Sequence, residues 1–383
     1  HQKLRRDALM YLSRALNRSL APPDWVSVNL TLQCNLKCVM CTTCYDVPDE
    51  LSLAEIKGIL DQVALWGVRI FNPLGGEPFM RGDLEEILAY AIQKDFAITL
   101  TTNGTLINRR RAEMLATLPP SALHLNVSID GPEAVHDRIR GEGMFRRAML
   151  GVERLRAADE AAGNDRRKIL ANAILHRQNV RDFPALLDAL AERGFDGVQV
   201  LNLFRTGEQI PEESAGLWFT PEHLPALEET VAELRRRRLT QTDAGFRILN
   251  DPEELALIPG YYRDGVKPLD APCWAGWKEL YINSDGKAIM CDGQLHFLNG
   301  EIGDVRRQTL RQIWDSPTLK ARREVVKRCT TPCVQSCYLR RDSDSARALG
   351  RVAWSLATDE VKRQLQKLKP GKGQRIDGGV LTL

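Results

Sequence analysis

No apolar run in the sequence approaches the ~18 residues that a membrane-spanning helix needs, and no signal-peptide pattern opens it. Both absences point to a cytoplasmic protein without a membrane partner. An excess of charge is also missing. The 53 Lys and Arg against 50 Asp and Glu leave a formal charge of +3, which argues against bulk nucleic acid or an anionic membrane as the main partner. Aromatic residues make up only 6% of the chain, too few to interleave with basic residues as an RNA-reading surface requires. The runs Arg109–Arg111 and Arg235–Arg238 are therefore read as solvated helix faces. The six histidines form no HxH or HExxH grouping, so a histidine metal site is not expected, and His124 and His136 read as structural. Finally, no cysteine falls between Cys44 and Cys273.

What is present bears on the same question. A chain of 383 residues, 43% of them hydrophobic and 27% charged, is long enough for two or three domains with a real core. The cysteines number nine, an odd count in a chain with no sign of export, so a disulfide framework is not expected. They fall in two clusters, Cys34, Cys38, Cys41 and Cys44, then Cys273, Cys291, Cys329, Cys333 and Cys337. That distribution reads as two metal sites.

A basic amphipathic helix is predicted before Pro22-Pro23. Strand-like runs then follow at Val26–Leu32, Val68–Leu74, Ala97–Thr102, Leu123–Ile129, Ile169–Leu175 and Gly197–Leu203. Helical patterns alternate with them at Leu53–Leu65, Leu84–Gln93, Arg109–Thr117, Phe145–Ala158, Val180–Arg193 and Pro221–Arg238. This βα rhythm predicts an α/β fold with parallel strands, either a partial barrel or an open doubly wound sheet. It stops near residue 240. Residues 241–272 carry few periodic signals, and a β-hairpin is expected over Lys278–Ile282 and Lys287–Met290 around Ser284-Asp285-Gly286. Helices are expected over Thr309–Trp314, Leu319–Val326 and Asp359–Leu368, and Pro370–Gly379 reads as a Gly-rich tail. The implied division is an N-terminal helix over 1–24, a barrel over 25–240, a small cysteine-bearing domain over 241–345 and a terminal helix and tail over 346–383.

Cys34, Cys38 and Cys41 form CxxxCxxC just after the first strand. Three thiolates on one short loop can ligate three irons of a [4Fe–4S] cube and leave the fourth open. Zinc is the alternative, with Cys44 as a fourth ligand. Gly75-Gly76-Glu77-Pro78 follows the second strand, Thr102-Asn103-Gly104 ends the third, and Ser128-Ile129-Asp130-Gly131 ends the fourth, with Asp137 and Arg140 downstream. In this order the motifs resemble the radical S-adenosylmethionine (SAM) enzymes over roughly residues 25–240. The resemblance implies a partial (β/α)6 barrel, a [4Fe–4S] cluster that chelates SAM, and reductive cleavage of SAM to a 5′-deoxyadenosyl radical that abstracts hydrogen from a substrate. It places Met40 against adenine, Glu77 on the cofactor's amino group and Arg140 on its carboxylate. It further assigns Gly75, Gly76, Pro78, Asn103, Ser128, Asp130 and Leu201 (or Val200) to SAM binding. A one-electron donor such as a flavodoxin or ferredoxin is implied as a partner.

Cys273 and Cys291 flank the expected hairpin, and Cys329, Cys333 and Cys337 follow at CxxxCxxxC spacing. This resembles the SPASM extension, or its shorter form twitch, of many radical SAM enzymes. Five cysteines, none beyond Cys337, imply one auxiliary [4Fe–4S] cluster rather than two. The implied ligands are Cys273, Cys291, Cys333 and Cys337, or Cys329 in place of one of the last pair, with zinc again the alternative. Asp292 matches the place of a catalytic base in sulfatase-maturing relatives, against a plain role in shaping the hairpin. Cys44 is a candidate hydrogen-atom donor, against a small buried hydrophobe. Only 33 residues precede Cys34, too few for the leader-binding domain fused to many peptide maturases. The main expectation is accordingly oxidation or epimerisation of a small polar, sugar- or aminocyclitol-like substrate. The alternatives are a peptide-modifying maturase and a non-catalytic iron–sulfur carrier or sensor, and the SAM motifs disfavour the latter.

Overall fold

The computed structural model describes residues 2–41, 49–204, 212–242, 245–264, 273–291, 300–329 and 333. Cys44, Asp292, Cys337 and the expected C-terminal helix and tail lie outside these residues.

Helix α1 (Gln2–Leu16) precedes strand β1 (Trp25–Thr31). Six βα units follow: β1 with α2 (Leu53–Leu65), β2 (Ile70–Gly75) with α3 (Leu84–Gln93), and β3 (Ala97–Thr102) with α4 (Arg109–Ala116). Next come β4 (Leu123–Ser128) with α5 (Glu133–Arg140) and α6 (Met144–Ala161), β5 (Ile169–Leu175) with α7 (Phe183–Glu192), and β6 (Gly197–Asn202) with α8 (Leu224–Thr240). Strands β1 to β6 are neighbours in sequence order and all parallel, the outcome of successive crossover helices. The fold is the mostly parallel α/β sheet of a partial barrel.

Local chemistry sets the element ends. Ser52 and Glu55 close a reciprocal capping box at the start of α2, and Asn108 caps α4 by accepting from the Arg111 N–H. Side chains alternate across each strand. Along β4, Leu123, Leu125 and Val127 are buried under the helices, while His124, Asn126 and Ser128 are only half-buried on the other face. That second, inner face continues through Asn72 of β2, Thr99 and Thr101 of β3, Asn172 of β5 and Gln199 of β6, all half-buried. The strands β1 to β6 contain no Lys, Arg, Asp or Glu.

Two features differ from the sequence expectation. Residues 241–272, which carry few periodic signals, contain β7 (Arg247–Ile248) and a helix α9 (Pro252–Asp264). Leu255, Ile258, Tyr261 and Tyr262 do recur at helical spacing on its buried face, but Pro259 inside the helix breaks the signal. The two tyrosines matter to the barrel: Tyr262 donates to the Leu175 carbonyl and accepts from the Leu203 N–H, and Tyr261 donates to the Leu203 carbonyl. They brace the C-terminal ends of β5 and β6.

The second difference concerns the cysteine-bearing segment. Strands β8 (Glu279–Ile282), β9 (Lys287–Ile289) and β10 (Glu301–Asp304) extend the sheet of the barrel, a pairing the sequence pattern does not specify. The hairpin β8–β9 forms as expected, but β8 pairs in parallel with β1, with Trp25 opposite Glu279 and Val28 opposite Ile282. One ten-stranded sheet results, in the order β10-β9-β8-β1-β2-β3-β4-β5-β6-β7. Helices α10 (Leu310–Trp314) and α11 (Pro317–Lys327) pack beside β10.

Candidate active site

The chain leaves β1 at Thr31 and crosses the C-terminal ends of the neighbouring strands, where ligands bind in parallel α/β folds. Main-chain contacts fix this crossing. The Gly76 N–H donates to the Thr31 carbonyl and the Glu77 N–H to the Gln33 carbonyl, each at 2.9 Å. A Cβ on Gly75, whose φ is +144°, would collide with the Thr31 carbonyl oxygen, and one on Gly76 with those of Leu32 and Gln33. Only glycine lets the two loops approach this closely.

Three thiols lie on the crossing loop, with Cys34 and Cys38 half-buried and Cys41 exposed. The Cys41 N–H donates to the Cys38 carbonyl and the Val39 N–H to the Ile139 carbonyl, which ties the loop to α5. Asn103 Nδ2 stands 3.9 Å from Cys34 Sγ and donates to Asn35 Oδ1 at 2.9 Å. Arg140 Nη1 stands 3.9 Å from Cys38 Sγ while its Nε donates to Asp130 Oδ2 at 2.6 Å. Burial pushes the Cys38 thiol up, and Arg140 beside it pulls the other way. Burial alone would lift the Asp130 carboxyl too, but Arg140, together with His136 and the Ile174 N–H, holds Asp130 below the usual carboxylate range. Asp130 in turn accepts the Ile174 N–H, and its own N–H is taken by His136 Nδ1. His136 is thereby left as the neutral tautomer with its proton on Nε2, its pKa pushed down by burial to about 4.

The structure thus gathers Cys34, Cys38, Cys41, Gly75, Gly76, Glu77, Pro78, Asn103, Asp130 and Arg140 at the ends of β1 to β4. Ser128 is the last residue of β4, paired with Asn172, and Met40 packs partly buried against the core. Val200 is buried under the helices, whereas Leu201 is the half-buried inner-face residue of β6.

Glu77 is enclosed by partners from its own chain. Its carboxylate has no exposed surface. Oε1 accepts from Thr102 Oγ1 (2.8 Å) and the Phe79 N–H (3.1 Å), and Oε2 from the Asn103 N–H (2.7 Å). Burial lifts its pKa against these donors. The side chain fastens the end of β2 to the end of β3. Three of its acceptor positions are taken by donors of the chain itself. Sequence spacing gives no sign of such an orientation.

The second cysteine group is less local. Cys273 and Cys291 are half-buried at either side of the hairpin, Cys329 follows α11 and Cys333 lies just beyond. Burial pushes the Cys273 thiol up to about 11, and Cys329 is close enough for its charge to add to that shift. Among the described residues no three His, Cys, Asp or Glu side chains converge as the cage of a single metal ion. In a four-iron cube each thiolate sits on a different iron, so the sulfurs need not meet at one point.

A soft-thiolate loop laid over the strand ends of a parallel partial barrel defines a protein built to hold an iron–sulfur group there. Comparison with known families narrows this class. The radical SAM superfamily profile matches residues 28–190, and that of the iron–sulfur cluster-binding domain SPASM matches residues 273–338. The chain is a radical SAM enzyme with a SPASM domain, and its cofactors are SAM, a [4Fe–4S] cluster and auxiliary iron–sulfur. It is 28% identical to the Fe-coproporphyrin III synthase of Methanosarcina barkeri, over 87% of this chain and 86% of that protein. Identity to the PqqA peptide cyclase of Granulibacter bethesdensis is 27%, over 77% of this chain and 75% of that one. Among solved structures, Streptococcus suis SuiB bound to S-adenosylmethionine shares the fold with a TM-score of 0.66 at 19% identity, covering 87% of this chain and 79% of SuiB. Among the described residues no helix is long and apolar enough to cross a membrane.

Proposed function

We propose that this chain is a peptide-modifying radical SAM enzyme. Cys34, Cys38 and Cys41 hold the SAM-binding [4Fe–4S] cluster. Cys273, Cys291, Cys329 and one of Cys333 and Cys337 hold an auxiliary one. Bound there, SAM and the reduced cluster supply a 5′-deoxyadenosyl radical that takes hydrogen from carbon, with the electron delivered by a flavodoxin- or ferredoxin-type donor. The chain's own residues position and shield. Gly75 and Gly76 let the loop after β2 lie against the main chain of the cysteine loop, which fixes the floor on which the cofactor would rest. Arg140, fixed by Asp130, offers its remaining donors to a carboxylate. Ser128, Asn103 and Met40 line the cofactor's sides, and Leu201 faces it from β6. Glu77 holds the floor of this site rather than touching SAM.

The observation that carries the substrate reading is the uncharged inner face. Strands β1 to β6 have no Lys, Arg, Asp or Glu, and their half-buried inner positions include Asn72, Asn126, Asn172, Gln199, Thr99 and Thr101, beside His124, Leu74, Ile174 and Leu201. Amide and hydroxyl side chains match the donors and acceptors of a peptide backbone. A second reading, a tetrapyrrole, is favoured by the similarity to the Fe-coproporphyrin III synthase, but strands β1 to β6 themselves offer a polycarboxylate no Lys or Arg to pair with. A sugar would suit the same amides. The relatedness to the PqqA peptide cyclases of two organisms favours the peptide over it.

The test uses reconstituted enzyme and extract from cells grown in deuterated medium, measuring deuterium carried into 5′-deoxyadenosine. Transfer that disappears after the extract is treated with protease is expected. Transfer that survives protease, or that appears with deuterated coproporphyrin alone, would sink the peptide reading.

A further inference from the structure

Arg14 stands in the last turn of α1, and it reaches the second cysteine group. Its Nε donates to the Cys273 carbonyl oxygen at 3.2 Å. The guanidinium carbon lies 5.4 Å from the centre of the Trp274 ring and 5.6 Å from that of Trp277, within cation–π range of both. Three residues earlier, Tyr11 meets Trp274 edge-on at 4.6 Å. The helix is anchored further by Asn17, which donates to the Lys320 carbonyl, and by Ser19, which donates to the Trp314 carbonyl. An element from the start of the chain therefore grips the Cys273 loop, clamping a cation between two indoles and the backbone of the cysteine itself.

We propose that Arg14 is a positioning residue for the auxiliary cluster: from the N-terminal helix it fixes the Cys273 loop, and its charge raises the reduction potential of the iron–sulfur group held there. The proposal rests on the reading that Cys273 ligates iron. A thiolate-ligated cluster becomes more negative when it takes up an electron, so a cation held beside it favours the reduced form. The electron comes from the external donor, and no bond is made or broken. Arginine suits the place because a planar guanidinium stacks on indole while keeping an edge for the carbonyl, which a lysine ammonium does not.

The experiment is an EPR-monitored redox titration of the reconstituted full chain, carried out on wild type, Arg14→Gln, Arg14→Met and Arg14→Lys. At the wild-type midpoint of the auxiliary cluster, the reduced-to-oxidised ratio is expected to fall about tenfold in the Gln and Met variants, ~59 mV for a one-electron couple. The SAM-binding cluster should titrate as in wild type, and Arg14→Lys should stay within about threefold of it, since the charge remains. The Met variant serves if the Gln variant does not fold. Unchanged auxiliary midpoints in both neutral variants would overturn the proposal, as would a shift in Arg14→Lys equal to theirs. A Cys273→Ala chain that keeps its full iron content would instead overturn the ligand reading beneath it.

Discussion

The two cysteine regions are held in opposite ways. Cys34, Cys38 and Cys41 share one loop, and that loop is fastened mainly by backbone: the Gly75-Gly76 approach to Thr31 and Gln33, and the Val39 bond to Ile139. Cys273, Cys291 and the pair Cys329 and Cys333 come from three separate segments. The segment carrying the first of them is fastened by large side chains, with Arg14 on Trp274 and Trp277, and Arg323 donating to the Gly276 carbonyl while stacking on Trp277 and Trp314. A backbone-defined site tolerates almost no added atom at its contact points. A side-chain-defined site can adjust by repacking.

A matched pair of glycine substitutions exposes this difference most strongly. Gly75→Ala places a Cβ against the Thr31 carbonyl at a φ of +144°, and a loss of at least about 3 kcal/mol in denaturant unfolding is expected, with SAM binding abolished. Gly276→Ala, at a φ of +79°, meets the Met290 side chain at 3.0 Å, a flexible neighbour, and about 1–2 kcal/mol is expected. Equal losses would break the comparison.

Glu77→Ala follows. Removing the carboxylate leaves the Thr102 hydroxyl and the Phe79 and Asn103 N–H groups without their buried acceptor, which costs about 3 kcal/mol in the same measurement. If stability is untouched and only SAM affinity falls, Glu77 faces the cofactor as the sequence suggested. Cys273→Ala should remove only the second site's metal, with iron analysis falling from about eight to about four per chain while uncoupled SAM cleavage continues.

The smallest effect tests the seam between the regions. Arg306 donates to Glu55 of α2, to Asp49 beyond the first cysteine loop, and to the Asp285 carbonyl of the hairpin. Hydrogen bonds from Arg306, then Ser52, hold the Glu55 carboxyl down to about 2. A depressed folded-state pKa means stabilisation that is complete above the unfolded value of ~4.3 and is lost as pH falls toward about 2. Both side chains are partly exposed, so the amount is below about 1 kcal/mol. Wild type should lose slightly more stability than Glu55→Gln between pH 5 and about 2, read from urea midpoints.

The same contrast explains what could be read from sequence. The six strands, the loop of Cys34, Cys38 and Cys41 and the glycine pair after β2 are local patterns, and their identities survive in the structure with ends displaced by a residue or two. The pairing of β8 with β1, the Tyr261 and Tyr262 braces on β5 and β6, and the grip of Arg14 on Cys273 join residues far apart along the chain, and no local spacing encodes them. Glu77 belongs to a third kind: its motif was visible, but which way its carboxylate turns depends on the end of β3. Helix α9 was obscured by Pro259 within it.

The most direct test of the central claim is an anaerobic assay for 5′-deoxyadenosine with dithionite and SAM, run on wild type and on the Cys34→Ala, Cys38→Ala, Cys41→Ala triple variant. Wild type is expected to cleave SAM with about eight irons bound, and the triple variant to lose all cleavage while keeping about four. Cleavage that persists in the triple variant, or wild-type protein that holds iron yet forms no 5′-deoxyadenosine, would contradict the assignment of the first site.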